Sequence, residues 1–152
     1  MKILFVCTGN TCRSSMAEAL AGRLLEDRFG AGGKIKVCSA GLAASPDEAA
    51  SPFAVEAMGW KGIDMSDYRA SMLTLDMVQE ADLVLTMTRS HLKQINMMFP
   101  GHAGKTFTLA DFAGSGSDIA DPIGQPLDVY RQCARSLEEL INRVLDRLIE
   151  KD

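Results

Sequence analysis

The sequence predicts an α/β protein, a doubly wound, four-stranded parallel sheet with helices on both faces. Two observations carry that expectation. Short apolar runs at residues 2–6, 34–40, 83–86 and 105–109 alternate with longer stretches of helical period, and strands that alternate with helices form parallel sheets. The 152 residues are 47% hydrophobic and 24% charged, the composition of a soluble globular chain. A chain of that length suits one domain, spanning residues 1–152 and burying about two thirds of its surface.

Residues 2–6 read as a buried strand: short, apolar and bounded by a polar loop. A helix is expected from Ser14, a residue able to cap it, with Met16, Leu20 and Leu24 on one apolar face. Gly30, Gly32 and Gly33 end that helix and turn the chain into the second strand, 34–40. After a loop marked by Gly41 and Ser45-Pro46, a helix spans 51–60, with Pro52 suited to its first turn. Residues 61–72 are polar and irregular. A short helix at 75–81 leads into the third strand, and 90–99 forms the next helix, closed by Pro100-Gly101. The fourth strand is followed by a Gly/Ser-containing loop over 110–120. Pro126 opens a last helix whose residues Leu137, Leu140, Ile141, Val144, Leu145 and Leu148 form a stripe read as core.

Charge and composition exclude several classes. The net charge is −4 with both signs interspersed, so no basic run marks a nucleic-acid or anionic-membrane footprint. No apolar stretch has the length of a signal-peptide core or a membrane span, which points to the cytoplasm. There the four cysteines (Cys7, Cys12, Cys38, Cys133) read as thiols. The two histidines, His91 and His102, lie far from them in sequence, without zinc-ligand spacing, so neither a metal nor another cofactor is expected.

The chemistry concentrates in Cys7-Thr8-Gly9-Asn10-Thr11-Cys12-Arg13-Ser14, which joins the first strand to the first helix. A helix N-terminus offers unsatisfied N–H groups and the positive end of a dipole, and so holds anions. Gly9 and Asn10 tolerate the positive φ of a tight anion nest, and Arg13 supplies a planar fork matching two phosphate oxygens. Such surroundings favour a cysteine thiolate, the attacking form. Attack by Cys7 on phosphorus would give a phosphocysteine that water hydrolyses, while the loop's donors hold the equatorial oxygens. A lone C-x5-R also arises by chance, and buried cysteines usually just pack. The strand before it, the helix after it and the Gly-Asn interior favour the chemical reading. No Walker-type G-x-x-x-x-G-K-[ST] run occurs.

The stretch 6–14 with Met16-Ala17-Glu18, then Ser39-Ala40-Gly41, Ala81-Asp82-Leu83-Val84-Leu85-Thr86-Met87 and Asp121-Pro122, resembles the low-molecular-weight protein tyrosine phosphatase family over essentially the whole chain. The resemblance implies the phosphotyrosine protein phosphatase I-like fold, with Cys7 as nucleophile and Arg13 as phosphate clamp. It implies Asp121 as general acid and base; Asp118 is nearby, but only Asp121 carries the following proline. Thr8, Gly9, Asn10, Thr11 and Cys12 would line the phosphate, and Ser14 would donate to the Cys7 sulfur. Ser39 would hold Asn10, with the hydroxyl of Tyr68 standing where the family often has histidine. Cys12 is placed either for a reversible disulfide with Cys7, a redox regulation, or for packing alone. Ser15 replaces a common proline, and Ile123 replaces an aromatic residue at the pocket mouth.

Substrate choice turns on Thr11. Tyrosine-specific relatives usually carry a branched aliphatic residue there, and the bacterial protein arginine phosphatase branch carries threonine. A hydroxyl suits a polar, planar phosphoarginine better than a ring face. Thr11 and Ile123 together favour phosphoarginine in proteins over phosphotyrosine, which stays as the alternative. An arsenate reductase is a remote alternative, because Cys38 and Cys133 stand alone without a further cysteine pair. A silent anion-binding module is disfavoured by the presence of nucleophile, clamp and acid together.

Overall fold

The structure, a computed structural model, describes residues 1–150. Four parallel strands, β1 (Lys2–Cys7), β2 (Lys36–Gly41), β3 (Leu83–Thr86) and β4 (Thr106–Thr108), form a sheet in the order β2-β1-β3-β4. Central β1 is a continuous apolar run because both its faces are covered. Ile3, Phe5 and Cys7 point to one side and Leu4 and Val6 to the other, with Val6 opposite Ala40 and Thr86.

The larger core lies on the first side, under α1 (Arg13–Phe29), α2 (Pro52–Gly59), α5 (Leu109–Phe112) and α6 (Leu127–Glu150). The α6 stripe of Leu137, Ile141, Val144 and Leu145 packs there against Met16, Leu20 and Leu25 of α1. The second side is covered by α3 (Leu75–Glu80) and α4 (Arg89–Met98) through Val78 and Ile95. The chain thus winds from β1 to β2 on one side and then to β3 and β4 on the other, so its direction reverses between β1 and β3. Open α/β sheets bind ligands beyond the strand carboxyl ends at such a reversal. Among the described residues no helix is long and apolar enough to cross a membrane.

Several boundaries differ from expectation. Helix α1 begins at Arg13, and its cap residue is Cys12, without a side-chain cap bond, so Ser14 lies inside the first turn. Its apolar face drifts from Leu24, half-buried, to Leu25, because the helical period of about 3.6 residues falls short of four and a strict repeat of four does not stay in one column. Strand β2 is displaced to Lys36–Gly41, in register with β1. The expected fourth strand loses both ends. A 3-10 helix spans Pro100–Lys105, and Thr108 caps α5 by accepting from the Asp111 amide. Residues 110–112 of the expected 110–120 loop thus belong to a helical turn, and only 113–120 remain irregular. Residues 61–72 are irregular, yet tied to the end of β2 by a bridge at Gly41–Met72 and to the loop after it by one at Ala49–Arg69.

Candidate active site

The loop from Thr8 to Cys12 leaves the C-terminal end of β1 and enters α1 at Arg13, beside the sheet's reversal point. Its shape is fixed by Asn10, which is wholly buried at φ 60°. Asparagine is among the few residues that adopt this left-handed region readily. Gly9 is not in the positive-φ region, contrary to the expectation for it, and a Cβ there would meet only the Thr11 hydroxyl at an ordinary 3.7 Å. The glycine that the loop does require is Gly41, at the end of β2. A Cβ on it would lie 2.4 Å from the Thr8 carbonyl oxygen and 3.1 Å from the Asn10 nitrogen. Backbone bonds from Leu42 to the Cys7 carbonyl and from Ala43 to the Thr8 carbonyl, both 2.9 Å, hold the segment there.

Asn10 uses its full hydrogen-bonding capacity. Its Nδ2 donates to Ser14 Oγ at 2.8 Å and Ser39 Oγ at 2.9 Å, while its Oδ1 accepts from Tyr68 Oη at 2.8 Å and the Ser71 amide at 2.9 Å. Because Ser14 Oγ accepts from Asn10, its own proton is available to the Cys7 sulfur 2.8 Å away. Tyr68 Oη also lies 2.5 Å from Ser39 Oγ, so the tyrosine hydroxyl sits where it can hold both Asn10 and Ser39. Burial raises the Tyr68 phenol well above its ordinary range, which keeps its proton in place. Ser15 donates to the Cys12 carbonyl at 2.9 Å, fastening the first turn where a proline would have offered no hydroxyl.

Arg13 connects the loop to a segment more than a hundred residues later. Its Nη1 donates to the Ile119 carbonyl at 3.0 Å, and its Nη2 lies 3.5 Å from Asp121 Oδ2. The arginine side chain is 7% exposed and the aspartate side chain 42%, so the carboxylate meets solvent while the guanidinium is held. Asp118 faces elsewhere: its Oδ1 accepts from the Arg89 amide at 3.0 Å, at the start of α4. Thr11 is half-buried in mid-loop, and its carbonyl accepts from Ser51 at 2.9 Å. Its hydroxyl makes only a 4.0 Å contact with Cys12 Sγ. Cys12 is buried against Tyr130 Oη at 3.8 Å, and burial pushes its thiol up. All four cysteines are free, and burial also pushes Cys133 up to about 12. Among the described residues no three His, Cys, Asp or Glu side chains converge as a metal site.

Two neighbours escaped the sequence reading. His91 Nε2 pairs with Thr8 Oγ1 at 2.9 Å, and burial, with Arg13 nearby, lowers it to about 4, so the buried ring is neutral. Glu18 Oε1 lies 3.0 Å from Ser39 Oγ. The Met16-Ala17-Glu18 motif contained the second signal; a separation of 83 residues hid the first.

A family model described as low molecular weight phosphotyrosine protein phosphatase matches residues 2–152. The chain belongs to this family. A protein-arginine-phosphatase of Bacillus subtilis is 44% identical over 153 residues, covering 100% of this chain and 99% of that protein. A low molecular weight protein tyrosine phosphatase from T. tengcongensis superposes with a TM-score of 0.92 at 40% identity, covering 97% of this chain and 99% of that one. A cysteine-to-serine mutant of the YwlE arginine phosphatase, with a phosphorylated active-site serine, superposes with a TM-score of 0.90 at 44% identity, covering 100% of this chain and 97% of that one. As a low-molecular-weight phosphatase the chain is a cysteine-dependent protein phosphatase.

Proposed function

We propose that this phosphatase hydrolyses phosphoarginine in cytoplasmic proteins, through a phosphocysteine on Cys7. The observation that carries the reading is the Thr11 hydroxyl in mid-loop, which makes no bond shorter than its 4.0 Å contact with Cys12 and so has donor and acceptor capacity for substrate. Ile123, 59% exposed beside the acid, supplies no ring on which a phenyl group would stack. The arginine-phosphatase relatives support the same choice.

In the reaction, the phosphoryl group lies over the loop amides with Arg13 on two of its oxygens. The Cys7 sulfur attacks phosphorus, the P–N bond breaks, and Asp121 delivers a proton to the departing guanidine nitrogen. Water then attacks the phosphocysteine, Asp121 takes its proton, and the S–P bond breaks to release phosphate. The Ser14 proton eases departure of the thiolate, and Asn10, held by Ser39 and Tyr68, keeps the donors aimed. Redox regulation belongs to the same reading. A Cys7 sulfenic acid, formed by peroxide with loss of water, would condense with the Cys12 thiol to a disulfide and release a second water, and the raised thiol of Cys12 makes that step slow.

Side-by-side kinetics on phosphoarginine and phosphotyrosine peptides test the specificity. The expected result is a higher kcat/KM for phosphoarginine, shifted toward phosphotyrosine by Thr11→Ile. Faster turnover of phosphotyrosine by the native enzyme, unaffected by that substitution, would overturn the arginine reading.

A further inference from the structure

We infer that Glu18 is held as the neutral carboxylic acid and acts as a positioning residue, supplying the proton that sets the order of donors beneath the phosphate loop. The inference rests on proton counting. Three oxygen–oxygen contacts run in series: Glu18 Oε1 to Ser39 Oγ at 3.0 Å, Ser39 Oγ to Tyr68 Oη at 2.5 Å, and Tyr68 Oη to Asn10 Oδ1 at 2.8 Å. Each needs one proton, and the two hydroxyls bring only two. The Asn10 amide cannot help, because both its N–H groups already point at Ser39 and Ser14.

A protonated Glu18 completes the set. Glu18 donates to Ser39, Ser39 to Tyr68, and Tyr68 to Asn10 Oδ1. Asn10 then donates to Ser14, and Ser14 to the Cys7 sulfur, so every hydroxyl and amide has one orientation. An ionised Glu18 would draw the Ser39 proton to itself, leaving Tyr68 one proton for two acceptors. The environment agrees. Burial raises Glu18 against the opposing bonds from Ser39, and the phenol of Tyr68 keeps its proton. The titratable groups facing it are Tyr68 after α2 and Cys38 on β2. A negative Glu18 opposes ionisation at Tyr68 and Cys38, and neither group is a cation that would hold it ionised. The neutral form also keeps a charge away from a loop that binds an anion.

The consequence for catalysis rests on the phosphate-loop reading of the site, so the test separates the two. Infrared difference spectra of wild type minus Glu18→Gln at neutral pH should show the carbonyl band of a protonated carboxyl. Inorganic phosphate binding, followed by calorimetry, should weaken on the alkaline side in the wild type. Glu18→Gln, whose amide N–H can donate to Ser39, should hold its affinity there, and Glu18→Ala should lose about tenfold at every pH. A missing carbonyl band, or a Gln variant as weak as the Ala variant, would overturn the role of Glu18. Wild type that bound no phosphate would instead sink the phosphate-loop reading, with the infrared band still deciding the state of Glu18.

Discussion

Removing one hydroxyl behind the loop, in Tyr68→Phe, should slow the enzyme without touching any group that meets substrate. The phenol donates to Asn10 Oδ1 at 2.8 Å, and the lost bond leaves that oxygen with only the Ser71 amide at 2.9 Å. Asn10 is fully buried and sits at φ 60°, so neither water nor an easy backbone change replaces the donor. An under-satisfied buried acceptor costs about 1–3 kcal/mol, and the surviving bond places this case toward the middle, about 1.5 kcal/mol. If that energy appears in the loop's alignment, kcat/KM falls about tenfold. In a chain of this size it also lowers the melting temperature by about 3–6 °C. Tyr68→His is the control: an imidazole N–H can donate to Asn10 and should recover most of the loss. Stopped-flow rates of phosphocysteine formation together with calorimetric melting would measure both. Kinetics within twofold of wild type, with an unchanged melting temperature, would show that the loop holds its shape without Tyr68.

Cys7→Ser should abolish turnover while phosphate still binds, measured by calorimetry. Asp121→Asn should slow phosphocysteine formation more for phosphoarginine than for an aryl phosphate, since a phenol of pKa about 10 can leave less protonated than a guanidine can; burst kinetics compare the two. Gly41→Ala should destabilise by about 1–3 kcal/mol in chemical denaturation and blunt activity, because its Cβ would lie 2.4 Å from the Thr8 carbonyl oxygen. Burial raises Glu18, so the folded chain binds that proton more tightly than the unfolded chain. Wild type should therefore lose melting temperature relative to Glu18→Gln as pH rises, and not as pH falls.

What could be read from sequence was local. Strand β1 is legible because a strand buried on both faces must be apolar throughout, and α6 because its stripe repeats over 24 residues. The spacing of Cys7 and Arg13 is legible because one loop and one helix turn hold both. Helix α5 was missed because its four residues make little more than one turn, although Thr108 followed by Asp111 carried a capping signal. Ser14 was misplaced as a cap because its hydroxyl serves the Cys7 sulfur, a partner that a capping rule does not consider. The need for glycine at position 41 was hidden for another reason. It arises from contact with the Thr8 and Asn10 backbone, which exists only once β1 and β2 are paired.

The reach of the acid shows how topology completes the site. Asp121 follows the fourth strand in the chain, as expected, and its segment is anchored in addition at the end of β3. The Ile119 amide donates to the Met87 carbonyl at 2.9 Å, and Asp118 accepts from Arg89 at the start of α4. Because β1 and β3 are sheet neighbours, the phosphate loop and the acid segment leave adjacent strand ends. Arg13 then joins them, holding the Ile119 carbonyl with one nitrogen and facing Asp121 with the other. A guanidinium has five N–H donors, so it can hold this segment and still present donors to phosphate oxygens. A lysine in its place would keep the charge but could not make both connections in one plane. A single side chain thus serves as the proposed clamp and positions the proposed acid, and disturbing Arg13 should disturb proton delivery as well as phosphate binding.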